Sequence, residues 1–189
     1  MLSGRRLDLL HPSPLDIEIE DIAHGLARVA RWNGQTTGAH ALSVAQHSLL
    51  VLDIAEARAP QWPTSWRLAA LLHDAPEYVV GDLISPFKAA LGLDYKTFER
   101  RLLEAIHIRF GLPAALPDSV SRDIKIADRA AAHFEATGLA GFSNDEGLRY
   151  FGTPPALPEK LVKQLQTLAA WPTDEAQRHF AARFKALSV

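Results

Sequence analysis

Hydrophobic residues recur at helical spacing along most of this chain. A helical period begins at Asp21, continues through Leu26, and stops near Asn33. Because residues three or four apart lie on one face of an α-helix, this spacing predicts an amphipathic helix. Before it, residues 5–20 alternate only weakly and contain two prolines, so we expect an irregular or weakly extended segment.

The same periodicity predicts a series of helices downstream, each bounded by capping residues, glycine or proline. Their expected positions are about 43–59, 64–78, 85–92, 94–111, 118–138, 157–170 and 174–187. Residues 141–155 are rich in turn-forming residues and predict a long loop with no more than one helical turn. Without an internal repeat or a linker, the pattern indicates one all-α domain over residues 1–189, with at most a small irregular or extended N-terminal segment.

Composition and charge exclude several classes of protein. Of the 189 residues, 48% are hydrophobic and 22% are charged, which is typical of a globular domain. The formal net charge of -2 argues against nucleic-acid binding through a basic face. The absence of cysteine excludes disulfides, thiolate zinc sites and cysteine nucleophiles. No apolar run reaches the ~18 residues of a membrane span, and the N-terminal segment lacks a signal peptide's apolar core, so we expect a cytoplasmic protein without membrane partners.

Four polar residues fall where the helical pattern predicts burial. His47 lies between Val44 and Val51 on one helix face, and His73 and Asp74 follow the apolar stretch of the next predicted helix. The fourth residue is Asp128, which lies on an inner stripe of the 118–138 helix. Burying an ionised carboxylate costs several kcal/mol (order of magnitude) unless the group is paired or binds a metal.

Taken singly, each of these residues has an ordinary explanation. A lone interior histidine is usually a hydrogen-bonded core residue, and a lone interior aspartate is usually a cap or an arginine partner. Two imidazoles and two carboxylates on three predicted helices instead indicate one divalent transition metal ion, such as Mn, Co, Fe, Ni or Zn. Adjacent His73 and Asp74 can both reach one ion if Pro76 distorts the helix there.

The order of these residues resembles the HD-domain phosphohydrolase superfamily, an all-α metal-dependent fold. The resemblance rests on His47, His73-Asp74 and Asp128, and on the flanking sequences SVAQHSLLVL, LLHDAPEYVVGDLISPFK and IKIADRAA. It covers about residues 22–137, the expected metal-site core, and leaves the C-terminal helices at about 157–187 outside. Within the superfamily, the segments RW, QHS and HDAPEYVVGDLISPFK are similar to the bacterial 5′-deoxynucleotidases, which hydrolyse deoxyribonucleoside 5′-monophosphates with Co or Mn.

This resemblance implies a role for each matching residue. The metal ligands would be His47, His73, Asp74 and Asp128. Glu77 would activate the attacking water, and Arg31 would orient the phosphate, which suits a guanidinium fork. The remaining substrate contacts would come from Trp32, Asp82 and Ser85.

The histidine pattern also bears on the number of metal ions. Two-metal HD phosphodiesterases carry extra histidines between the HD pair and the last aspartate, whereas only His107 lies between Asp74 and Asp128 here. His107 lies off the apolar stripe of its helix, and we interpret it as structural. We therefore expect a mononuclear site and disfavour hydrolysis of cyclic dinucleotides.

The sequence thus predicts a metal-dependent phosphomonoesterase, a 5′-nucleotidase-like hydrolase whose partner is a small phosphate ester, a (deoxy)nucleoside 5′-monophosphate. One alternative is another HD phosphohydrolase that acts on a nucleotide pyrophosphate or triphosphate. A second is a non-catalytic HD module that senses nucleotide or metal, although such modules usually lose a ligand. The resemblance also implies a homodimer, for which the C-terminal amphipathic helices offer an interface.

Overall fold

The structure, a computed structural model, describes residues 1–83 and 93–188. In these two ranges the chain forms α-helices joined by turns, and a single bridge between Ala30 and Ser43 is the only strand pairing there. The all-α prediction is confirmed. The helices are α1 (Ile19–Leu26), α2 (Val44–Arg58), α3 (Thr64–Leu71), α4 (Glu77–Val80), α5 (Leu93–Arg109), α6 (Asp118–Gly138), α7 (Asn144–Phe151), α8 (Glu159–Gln166) and α9 (Thr173–Leu187).

Helices α2 and α6 agree with the predicted bounds and form the centre of the molecule. The side chain of Ser43 caps α2 by accepting a hydrogen bond from the Gln46 backbone N–H at 3.2 Å. Helix α2 packs against α3, α6 and α9, and α9 also covers α1 and α3. The largest fully buried side chains of this core include Phe180, Ile22, Leu26, Leu52, Ile54, Leu71, Leu102, Ile106 and Leu165.

The first helix is shorter than predicted. It ends at Leu26 rather than near Asn33, because the following backbone pairs with a distant segment. The Arg31 N–H donates to the Leu42 carbonyl at 2.8 Å, and the Val44 N–H donates to the Val29 carbonyl at 3.0 Å. This pairing leads the chain into a short 3-10 helix at Arg31–Gly34.

The predicted helix over 64–78 is two helices separated by a turn. Helix α3 ends at Leu71, residues 72–76 form the turn, and α4 begins at Glu77. Pro76 lacks the N–H that a continuous helix would need at this position, so the break lies where the proline disrupts the hydrogen-bond ladder. As a result, His73 and Asp74 lie in a turn and not on a helix.

The prediction of a long loop at 141–155 is wrong, because Asn144–Phe151 forms helix α7. Its start is a capping box in which the Ser143 hydroxyl accepts from the Glu146 N–H and the Glu146 carboxylate accepts from the Ser143 N–H. Helix α8 is shorter than its predicted span. No helix in the described part of the chain combines the length and apolar character that a membrane crossing requires. The helix predicted at 85–92 lies outside the described residues.

Candidate metal centre

Three side chains from distant parts of the chain converge on one point. His47 comes from the first turn of α2 and is fully buried, His73 comes from the α3–α4 turn, and Asp128 comes from α6. One ligand atom from each lies within 4.8 Å of the others. The packing of α2 against α3 and α6 produces this convergence.

Asp74 joins the same cluster. Its Oδ2 lies 3.4 Å from the Nε2 of His47 and 3.2 Å from the Nε2 of His73, while the Oδ1 of Asp128 lies 3.2 Å from the Nε2 of His47. The structure therefore brings together the four residues that the sequence predicts as metal ligands.

The two histidine Nε2 atoms fit a cation better than they fit a closed hydrogen-bond network. Both are buried, and neither finds a hydrogen-bond partner among the described residues. Buried polar atoms are normally hydrogen-bonded, so two such nitrogens facing carboxylates need another partner. Imidazole nitrogens with carboxylate oxygens are a donor set for divalent transition metals. His47, His73, Asp74 and Asp128 could hold such an ion.

The carboxylates of the cluster change its acid–base behaviour. Burial raises the pKa of Asp74, but the adjacent His73 and His47 outweigh it and hold the Asp74 pKa well below its usual value. Burial and Arg31 lower the pKa of His47, yet Glu135, Asp128 and Asp74 outweigh both and hold it well above its usual value. In the absence of a bound cation, these carboxylates therefore favour the protonated, positively charged form of His47.

Glu135 is a residue of this site that the sequence analysis did not identify. It is fully buried on α6, and its Oε1 accepts a hydrogen bond from the Nδ1 of His47 at 2.6 Å. Its Oε2 accepts from the Nε of Arg31 at 3.0 Å and from the Nε1 of Trp32 at 3.1 Å. Burial raises the pKa of Glu135, but the neighbouring Arg31 and His47 outweigh burial and lower this pKa to about 2. The group is therefore an ionised, buried acceptor for three donors.

A sequence signal for Glu135 does exist. It lies seven residues after Asp128, which is two helical turns, so both side chains lie on one face of α6. Metal-ligating histidines usually donate their second ring N–H to a carboxylate or carbonyl. An acidic residue two turns from a ligand, within the apolar stretch AAAHFEATG, was the available sign.

The predicted phosphate-binding residue Arg31 lies beside the ligand cluster. Its Nη1 is 3.8 Å from the Oδ2 of Asp74 and 3.8 Å from the Oδ2 of Asp82. Asp82 is therefore also part of this neighbourhood. Ser85, the last predicted substrate contact, lies outside the described residues.

Trp32 lies next to Arg31 in the chain and packs against two aromatic residues, one just before α7 and one at its end. Its ring centroid is 5.7 Å from that of Phe142 and 5.8 Å from that of Phe151, both in edge-to-face orientation. These contacts place Trp32 between helix α7 and Glu135. The indole is thus held on two sides, by apolar contact and by its N–H.

Two further residues named by the sequence analysis, Glu77 and His107, are both buried. Glu77, the predicted water activator, is the first residue of α4, is 2% exposed, and donates its N–H to the Asp74 carbonyl at 3.0 Å. It is therefore not the exposed helix-end carboxylate that such a position often holds. His107 is buried and donates its Nδ1–H to the Ala114 carbonyl at 3.2 Å, a contact that fits the structural interpretation.

The chain is similar to one protein-family model and to two known proteins. The family model of the HD domain matches residues 44–133, a range that contains all four proposed ligands. The chain is similar to an uncharacterized protein of Rhodobacter capsulatus, with 56% identity over 188 residues, 99% of this chain and 93% of that protein. It is also similar to the uncharacterized protein YfdR of Escherichia coli K12, with 34% identity over 113 residues, 60% of this chain and 56% of that protein.

Proposed function

We propose that this chain, which contains an HD domain, is a metal-dependent phosphohydrolase that cleaves the phosphomonoester bond of (deoxy)nucleoside 5′-monophosphates. The observation that carries the proposal is the pair of buried Nε2 atoms, from His47 and His73, that face the carboxylates of Asp74 and Asp128. A divalent cation is the partner that satisfies this donor set. The substrate class is the finer part of the proposal and comes from the sequence resemblance.

One divalent transition metal ion would be held by His47, His73, Asp74 and Asp128. Mn, Co, Fe, Ni and Zn all suit two imidazoles with two carboxylates. When bound, such an ion lowers the pKa of a water molecule and draws charge from a phosphoryl oxygen.

The remaining chemistry would be done by side chains of this chain. Glu77 would take the proton from the water whose oxygen forms the new bond to phosphorus. The bond between phosphorus and the 5′ oxygen of the nucleoside would break, and Glu77 would return the proton to that oxygen, which gives inorganic phosphate and a nucleoside and leaves Glu77 ionised again. Arg31 would hold the phosphate, because a guanidinium offers a planar set of donors to its oxygens.

The residues around Arg31 support a nucleotide as the phosphate ester. The Asp82 carboxylate lies close to Arg31 and is an acceptor suited to a sugar hydroxyl. Trp32, together with Phe142 and Phe151, supplies aromatic surface beside the site, and such surface suits a sugar or base. Ser85 stays a predicted contact. A cytoplasmic location and a homodimer also stay predictions, and light scattering on the purified protein checks the dimer.

The test is phosphate release from a panel of ribo- and deoxynucleoside 5′-monophosphates with Mn²⁺ or Co²⁺. We expect release that needs metal, is lost together with metal binding in Asp74→Ala, and falls by about 10²–10⁴-fold in Glu77→Gln with metal binding kept. Glu20→Gln makes the same chemical change on an exposed side chain of α1 and should leave the rate unchanged.

Other outcomes would redirect the proposal. Full activity in Glu77→Gln would remove Glu77 as the water activator. A protein that binds metal, releases no phosphate from the panel, and releases pyrophosphate or triphosphate from other nucleotides would not be a monoesterase. Metal binding with no hydrolysis of any nucleotide would favour the sensing module.

A further inference from the structure

Glu135 contacts a proposed metal ligand through one carboxylate oxygen and the proposed phosphate-binding side through the other. Its Oε1 accepts from His47, a proposed metal ligand, and its Oε2 accepts from Arg31, the proposed phosphate donor, and from Trp32. The side chain is fully buried, so solvent does not compete for these bonds. One carboxylate therefore belongs to both halves of the site.

An ionised carboxylate is the one side-chain group that suits this position. All three neighbours are N–H donors, and a carboxylate accepts through both oxygens while offering no donor of its own. A glutamine would present its NH₂ group either to His47 or to the pair Arg31 and Trp32. One half of the network would then set donor against donor.

Glu135 also contacts a strained turn, since it accepts the indole hydrogen bond of Trp32. Trp32 has φ 55° and Asn33 has φ 51°, a left-handed region that bulky residues rarely adopt. Such conformations persist only where surrounding contacts over-determine them. Here those contacts are the indole bond to Glu135 and the packing of Trp32 on Phe142 and Phe151.

We propose that Glu135 is a positioning residue that couples cation binding at His47 to phosphate binding by Arg31, an inference that rests on the proposed function. The bond to Glu135 requires the proton on Nδ1 of His47 and so directs the Nε2 lone pair of the neutral ring at the ligand cluster. The same carboxylate holds the Nε side of Arg31, which sets the direction of its Nη atoms. Because coupling between two binding sites is reciprocal, phosphate should tighten the cation and the cation should tighten phosphate.

Binding measurements without turnover test this coupling. Mn²⁺ and inorganic phosphate are titrated calorimetrically into wild-type protein, Glu135→Gln, Arg31→Ala and the exposed control Glu20→Gln. We expect Glu135→Gln to weaken Mn²⁺ binding by about 10–100-fold. Arg31→Ala should weaken phosphate binding more than it changes Mn²⁺ binding in the absence of phosphate, because Arg31 approaches the proposed ligands no closer than its 3.8 Å ion pair with Asp74.

The decisive quantity is the factor by which saturating Mn²⁺ tightens phosphate. In Glu135→Gln this factor should fall by about fivefold or more, within the range of typical coupling energies. A factor equal to that of wild type, or unchanged Mn²⁺ binding, would overturn the proposal and leave Glu135 a purely structural residue. Neither readout uses hydrolysis, so failure of the phosphatase assay would refute the proposed function separately.

A measurement on the wild-type protein decides the question even if Glu135→Gln does not fold. In a ¹H–¹⁵N spectrum, saturating Zn²⁺ should move the Trp32 indole and Arg31 Nε–H signals, although neither group is a proposed ligand. Trp32→Phe identifies the indole peak, and the other three tryptophans serve as internal references. Signals of Trp32 and Arg31 that stay in place at saturating Zn²⁺ would overturn the coupling.

Discussion

His47 contacts carboxylates through both nitrogens of its ring. Its Nδ1 lies 2.6 Å from Glu135, and its Nε2 lies 3.2 Å from Asp128 and 3.4 Å from Asp74. Burial alone would keep this imidazole neutral, but the three carboxylates outweigh it and raise the pKa of His47. In the absence of a cation, the raised pKa of His47 favours a proton on the nitrogen that a cation would take.

This proton makes cation binding dependent on pH. Metal ligation needs a deprotonated nitrogen, so binding should release a proton at any pH below the raised pKa of His47. Affinity for Mn²⁺ should therefore rise with pH between 6 and 8, by up to about tenfold per unit for one proton. Calorimetry in buffers of different ionisation enthalpy measures the released proton.

A matched control keeps the prediction specific to the buried imidazole. His179→Gln removes an exposed imidazole from α9 and should leave both the pH dependence and the proton count unchanged. Mn²⁺ affinity that is flat from pH 6 to 8, with no proton released, would show that the His47 pKa is not raised in the metal-free protein.

At the scale of elements, the close approach of α1 to α4 determines where Glu77 lies. Gly25 of α1 faces Tyr78 of α4, and a Cβ at position 25 would lie 2.8 Å from the Tyr78 Cβ and 2.9 Å from its carbonyl oxygen. Only a residue without a Cβ permits this contact. Because α4 is a single turn that begins at Glu77, its position depends on what it packs against.

Gly25→Ala should therefore act on both stability and catalysis. The added methyl group has to push α4 away, at a cost of about 1–3 kcal/mol in the free energy of unfolding. The displacement of Glu77 should also lower turnover. Urea denaturation and the phosphate-release assay measure the two effects.

Gly138→Ala is the matched control, because a Cβ at that last residue of α6 meets nothing within 4 Å. It should leave turnover unchanged and stabilise the protein by up to about 1 kcal/mol through helix propensity. A Gly25→Ala protein as stable and active as the Gly138→Ala protein would show that α4 adjusts freely.

At the scale of the whole molecule, the site exists only when distant segments are assembled. Arg31, His47, His73, Asp128 and Glu135 come from two α-helices, the α3–α4 turn and the short 3-10 helix at Arg31–Gly34. The unfolded chain cannot offer these ligands together, so a cation that binds the folded state stabilises it. The free energy of unfolding should therefore increase when a cation occupies the ligand cluster.

Metal removal should lower the melting temperature. At a cation concentration one hundred times its Kd, the stabilisation is about 2.7 kcal/mol, and a protein of this size gains about 2–4 °C per kcal/mol. We thus expect thermal unfolding with Mn²⁺ some degrees above unfolding with EDTA. Asp128→Asn should lose most of this difference, and an undiminished shift in that variant would place the cation elsewhere.

Local pattern was sufficient to predict much of the fold and the proposed ligands. Ser43 and the spacing of Val44, His47 and Val51 predicted α2 and its buried face, because capping and periodicity depend only on near neighbours in sequence. The same reasoning predicted α6, but the Asp128 side chain, which was expected to be buried, is 37% exposed. The break between α3 and α4 also has a local cause, since Pro76 lacks a backbone N–H. The capping box of Ser143 and Glu146 is a local signal as well, and it predicts the start of α7.

The sequence by itself determined the helical class and which residues face inward, because these depend on side-chain spacing along each segment. The tertiary structure decided what those residues face. The early end of α1, the left-handed turn at Trp32 and the three-donor contact of Glu135 all depend on partners far away in the chain. Periodicity carries no information about such partners, since the hydrogen bonds involved form only after the helices pack.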